Sequence, residues 1–273
     1  MNQQDLLYGY SSVAIVVVLF IAIIVLNEVG FRIGRFVQAH TDSEAKSLTG
    51  SIQASILGLL ALLLGFTFSM SMQRFDNRSM ALIDEANAIG TAVLRVQLLP
   101  EEFRAEAGNL FQEYIGLRVD VGQLDLTRTG ERDIFNGRIG DLQNRLWSLA
   151  IAATEVDARP VTTGAFVNSL NAVIDSQGKR NALLQMQVPE VVLLLLFIVF
   201  ISSGGIMGYS AGLSDKRIFV PIVLVSILIT LIVFIIIDLD RPKRGLIQVN
   251  QGALVELLDT AQTRGVALTH WDG

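Results

Sequence analysis

The chain contains no cysteine, which excludes disulfide frameworks, thiolate nucleophiles and cysteine-ligated zinc. Histidine is almost missing too: His40 and His270 lie far apart and leave little for imidazole metal chemistry. Charge is scarce, at 17% of 273 residues, where an average soluble domain carries about a quarter. The net charge of −5 comes without any long lysine and arginine run, so nucleic acid is not an expected partner. There is no Gly-x-Ser-x-Gly elbow, Walker phosphate loop, His-Glu-x-x-His pair or dinucleotide fingerprint. The carboxylates are scattered among arginines, and no acid and base in separated environments stand out. Neither an enzyme nor a resident metal or other cofactor is expected.

What the chain has in excess is apolarity: 51% of residues are hydrophobic and the mean hydropathy is +0.51. A membrane helix needs about 20 mainly apolar residues, because hydrocarbon offers no partner to an open backbone group. Four stretches qualify, with cores at 13–26, 52–72, 191–209 and 218–237, and the lipid bilayer is the expected surrounding. The first has no basic leader and no small-residue cleavage site before Asn27, so it reads as a retained anchor rather than a signal peptide. No Asp, Glu, Lys, Arg or His lies in any of these cores, which disfavours a proton-coupled pump.

Between the second and third spans, seven-residue hydrophobic rhythms replace strand alternation. Leu82, Ala86, Ile89, Val93 and Val96 prolong the second span. Phe103, Leu110, Leu117 and Val121 belong to a new helix after Pro100, with Glu101 and Glu102 at its positive dipole end. Phe135, Ile139, Leu146 and Leu149 mark another, and Phe166, Leu170 and Val173 a last one leading into the third span. The expected fold is therefore all-α: four transmembrane helices with an extramembrane helical bundle between the second and third. Its boundaries read as a first hairpin at 1–73, the helical domain at 74–187, a second hairpin at 188–240, and a tail at 241–273 with one short helix at 253–261. Arg32, Arg35, Lys46, Lys216 and Arg217 lean towards cytoplasmic short loops and a periplasmic helical domain. Arg74, Arg78, Lys179 and Arg180 pull the other way.

Several residue groups are candidates for function. Ala54, Gly58, Ala61, Gly65 and Ser69 in the second span, and Gly204, Gly208 and Gly212 in the third, predict close helix packing, within one subunit or between subunits around an axis. Leu62, Phe66 and Met70 share a stripe of the second span, interleaved with Thr67, Ser69 and Ser71. That composition suits a pore constriction that dewets beside weakly polar steps, or a helix packed among neighbours whose hydroxyls bond back to the preceding turn. Phe68, about 200° around the helix from Phe66, is expected to pack outward. Arg74 and Arg78, four apart on one face, would form an anion-attracting mouth in an oligomer, or simply anchor the helix at the interface. Asp84, Glu85, Asn87, Thr91 and Arg95 make a polar cluster on a helix otherwise rich in small residues, which predicts a close backbone neighbour. Asp238, Asp240 and Arg241 alternate in sign before the helix stop at Pro242, as an interfacial anchor, a helix-end latch or an ion-coordinating group.

The run Leu57-Gly58-Leu59-Leu60-Ala61-Leu62-Leu63-Leu64-Gly65-Phe66-Thr67-Phe68-Ser69-Met70, with Arg74-Phe75-Asp76 after it, carries a family resemblance. So do Asp84-Glu85-Ala86-Asn87-Ala88-Ile89-Gly90-Thr91-Ala92, Leu98-Leu99-Pro100, Asp238-Leu239-Asp240-Arg241-Pro242 and Gly245-Leu246-Ile247. Together they resemble the bestrophin-like domain family of bacterial membrane proteins, a domain of unknown function distantly related to bestrophin anion channels. The resemblance implies a multi-pass protein of the bacterial inner (plasma) membrane that self-associates, as a pentamer in bestrophins. It further implies an axial pore lined by the second span, small inorganic ions as partners, and a cytoplasmic helical domain, against the lean of the charge count. By position the aromatic neck would be Phe66 and Phe68, with Leu62 a turn below. Calcium gating is not implied, since no acidic run follows the last span. The expected function is a homo-oligomeric, anion-preferring channel or passive pore. The alternative is a non-conducting scaffold or sensor whose helical domain binds a partner protein.

Overall fold

The computed structural model describes residues 10–123, 129–214, 219–241 and 245–268. Lys216, Arg217 and Ile218, the stop at Pro242 with Lys243 and Arg244, and the end from Thr269 with His270 lie outside the described residues. The described elements are helices: α1 (Ser12–Val37), α2 (Ser43–Arg95), α3 (Glu101–Gln123), α4 (Thr129–Val156), α5 (Thr163–Gln185), α6 (Glu190–Leu213), α7 (Phe219–Asp240) and α8 (Gly252–Leu268). Short 3-10 turns follow α1 and α2, at Gln38–His40 and Val96–Leu98. Four helical runs are long and apolar enough to cross a membrane, and the chain is an all-α, four-span membrane protein. The tail helix α8 extends beyond the short segment expected at 253–261, and that segment supplies its apolar contacts with the core of the helical unit through Leu254, Leu257, Leu258 and Ala261.

The described residues fall into two compact units. One comprises 10–74, 187–214, 219–241 and 245–247. In it α1 packs along α6 and α7, around Leu19, Ile23, Leu60, Leu64, Leu196, Phe200 and Ile236. The approach of α1 to α6 is so close that no side chain fits between them. A Cβ built on Gly208 would lie 1.9 Å from the Asn27 carbonyl oxygen, and one on Gly212 2.3 Å from that of Phe31. From the other side, a Cβ on Gly30 would lie 2.0 Å from the Gly205 carbonyl oxygen. The Asn27 amide donates to the Gly204 carbonyl at 3.0 Å, so a polar side chain also ties the two spans. The third-span glycines thus serve packing inside one chain. The second-span glycines do not: Cβ atoms on Gly58 and Gly65 would meet nothing within 4 Å.

The other unit comprises 75–123, 129–186 and 248–268. Here α3 packs on α4 and α8, and α4 on α5. The expected rhythms supply the core: Leu82 and Ile89 from α2, Leu110 and Tyr114 from α3, Ile139 and Leu146 from α4, Phe166 and Leu170 from α5. Phe111 meets Phe166 edge to face at 6.3 Å, the favourable arrangement of two aromatic quadrupoles. Acidic Glu101 and Glu102 occupy the first turn of α3, where the helix dipole favours them.

Candidate functional site

Which face of α2 turns inward is set by Leu60, Leu64, Thr67 and Ser71, all buried at alternating spacings of four and three. Thr67 donates its hydroxyl to the Leu63 carbonyl at 2.8 Å, as a hydroxyl in an apolar span must. With these positions inward, Leu62, Phe66 and Met70 come together on an outward stripe, 55%, 63% and 41% exposed. Phe68 is 39% exposed and belongs to no buried cluster, because the inward position is its neighbour Thr67.

Arg74 follows one turn after Met70, with Nη2 3.8 Å from the Met70 Sδ and Nη1 3.9 Å from Asp240 Oδ1. Arg78 turns inward. It lies seven residues beyond Ser71 on the inward face and is buried. Its guanidinium donates to the Met186 carbonyl at 2.9 Å and the Leu183 carbonyl at 3.4 Å, which fastens the end of α5.

The charged end of α7 is buried and holds three different segments. Asp238 Oδ2 accepts the Ile247 N–H at 2.8 Å. A Cβ on Gly245 would lie 2.6 Å from that carboxylate, so only glycine admits it there. Asp240 Oδ2 accepts the Val188 N–H at 2.8 Å, just before α6. Arg241 donates to the Tyr10 carbonyl at the approach to α1. Hydrogen bonds to an ionised partner are the stronger kind, and here they join the ends of three spans.

The polar cluster of α2 is dispersed rather than gathered. Asp84 is exposed and pairs with Lys179 at 2.9 Å. Asn87 and Thr91 are exposed, and Arg95 donates to the Ala165 carbonyl at 2.9 Å. The neighbour at Gly90 is the Leu257 side chain rather than a backbone, 3.4 Å from where a Cβ would stand. Glu85 alone turns inward, accepting from Arg118 Nε and Arg180 Nη1, both at 2.6 Å. Sequence reasoning missed Arg118, although an arginine one turn after Tyr114 in an apolar stripe was the available signal. Burial pushes the Tyr114 hydroxyl up to about 12; Glu85 adds to this, while Arg118, Gln143 and Arg180 oppose it. Among the described residues, no three His, Asp or Glu side chains gather to hold a metal ion.

Similar folds occur in solved bacterial bestrophin homologues. One variant from Klebsiella pneumoniae is 18% identical with a TM-score of 0.64, over 93% of this chain and 98% of that one. A second is also 18% identical, with a TM-score of 0.61 over 91% and 98%. A third Klebsiella pneumoniae homologue, 16% identical, gives 0.63 over 90% and 98%. No curated protein matches the chain. The Bestrophin-like domain matches residues 15–254. Since that match begins in the first span and runs into α8, it takes in both units, and the chain belongs to the bestrophin-like domain family.

Proposed function

We propose that the protein is a homo-oligomeric, anion-preferring channel or passive pore in which copies of α2 surround an axis. The observation that carries this reading is the uncovered stripe of Leu62, Phe66 and Met70 on a charge-free span. Beside it, Gly58 and Gly65 leave space open to a neighbouring helix, and small residues are what allow two membrane helices to approach closely. A ring of Phe66 side chains forms an apolar constriction that excludes water when narrow. Arg74, one turn beyond Met70, adds a ring of positive charge that concentrates anions, tempered by Asp240 at 3.9 Å. Arg78 fastens α5 and has no part in the mouth. Asp238, Asp240 and Arg241 act as the latch that fixes the span ends. The bestrophin resemblance favours five copies in a bacterial inner membrane with the helical unit in the cytoplasm. A reporter fused after Gly273 and read for cytoplasmic activity tests that side.

In liposomes, Phe66→Ala widens and wets the constriction, so chloride flux rises above wild type. Arg74→Ala lowers the preference for chloride over small cations and leaves assembly intact. If wild-type protein passes neither chloride nor small cations, and Phe66→Ala is equally silent, the pore reading is wrong and a non-conducting scaffold takes its place.

A further inference from the structure

The interior of the helical unit holds more positive than negative charge. Glu85, Arg118 and Arg180 are 0%, 1% and 4% exposed. The one carboxylate serves both guanidinium groups, an oxygen to each. Arg180 has a second, neutral acceptor in Gln251 Oε1 at 3.0 Å. Gly122 leaves room for that glutamine, since a Cβ there would stand 2.7 Å from the same oxygen. Arg118 has no such relief: its Nη1 is buried and without a hydrogen-bond partner among the described residues. Arginine does not shed its proton inside proteins, and an uncompensated interior charge is strongly unfavourable. One unbalanced positive charge and one unspent donor therefore coincide.

Tyr114, one turn before Arg118 on α3, is fully buried. Its oxygen accepts from Gln143 Nε2 at 3.4 Å, and its own proton remains to be given. We propose that Arg118 Nη1, with the Tyr114 hydroxyl from one turn earlier on α3, holds a small monovalent anion of halide size inside the helical unit. Water would satisfy the donor but leave the charge. A phosphate-like ion would bring more negative charge than the single surplus positive charge balances. The site stands apart from the α2 stripe and does not rest on the pore reading.

The test melts full-length protein in detergent in sodium chloride, sodium bromide and sodium gluconate at equal ionic strength. Chloride and bromide raise Tm over gluconate by ~3–6 °C at about tenfold above half-saturation. Arg118→Gln leaves Glu85 facing Arg180 one to one, so it folds and loses this dependence, whereas Phe66→Ala keeps it. Crystals grown in bromide show an anomalous peak within hydrogen-bond reach of Arg118. Equal melting in the three salts overturns the proposal, as does an unchanged dependence in Arg118→Gln or a bromide map with no peak beside Arg118. Should Arg118→Gln fail to fold, the wild-type salt series and the bromide map decide.

Discussion

Glu85 and Asp84 are adjacent in sequence and opposite in consequence, since one residue along a helix is a rotation of about 100°. Asp84 meets Lys179 at the surface, whereas Glu85 is, among the described residues, the one counter-charge of two buried guanidinium groups. Glu85→Gln should therefore lower stability by about 3–5 kcal/mol, the usual penalty for stripping one partner from a buried ion pair. Asp84→Asn should cost ~1 kcal/mol or less, as exposed pairs do. Thermal melts of the two variants side by side separate these cases, and similar losses would contradict the burial argument. Tyr114 adds a pH dependence. Its folded-state value of about 12 exceeds the ordinary 10.0, so below pH 10 its contribution is intact. As pH rises from 10 through about 12, only the unfolded chain releases the proton, and stability falls by roughly 2 kcal/mol. Tyr114→Phe should flatten the stability profile across that window, and identical profiles for the two proteins would rule the tyrosine out.

Two helices carry small-residue faces, and they face different surroundings. On α6, Gly208 touches the Asn27 backbone of α1, whereas on α2 Gly58 meets nothing in its own chain. Gly208→Ala must push two spans apart, at a cost on the order of 1–3 kcal/mol for overpacking. Gly58→Ala should leave the fold of the chain unchanged and alter the distribution of oligomers instead. Tm and light-scattering mass in detergent read the two effects separately. A Gly208→Ala variant that melts like wild type would refute the close α1–α6 packing. The same element-level logic explains Arg78: four residues from Arg74, it shares the inward face of Thr67 and Ser71 and spends its donors on Leu183 and Met186. Spacing alone put the two arginines on one face. Their separate fates depend on where the carbonyls at the end of α5 lie, 105 and 108 positions along the chain.

For the whole molecule, the uncovered α2 stripe predicts an assembly with an axial opening, and particles viewed down that axis should show a ring; a monomer would leave Phe66 facing lipid. The four spans, the all-α class and the core positions of the helical unit were legible along the chain. Charge-free length and hydrophobic period are local properties, and burying them needs no knowledge of the partner. The inward turn of Glu85, the burial of Arg78 and the split between filled and open glycine faces were not. Each depends on the angle of a helix about its own axis, and that angle is set by distant residues: Arg180 lies 95 positions from Glu85, and Met186 lies 108 from Arg78. Sequence by itself determined which segments are helices and which of them cross lipid, because both follow from local pattern. Only the tertiary structure decided which side of each helix is spent inside the chain and which is left uncovered, because packing between distant segments selects among rotations that the local pattern leaves equal.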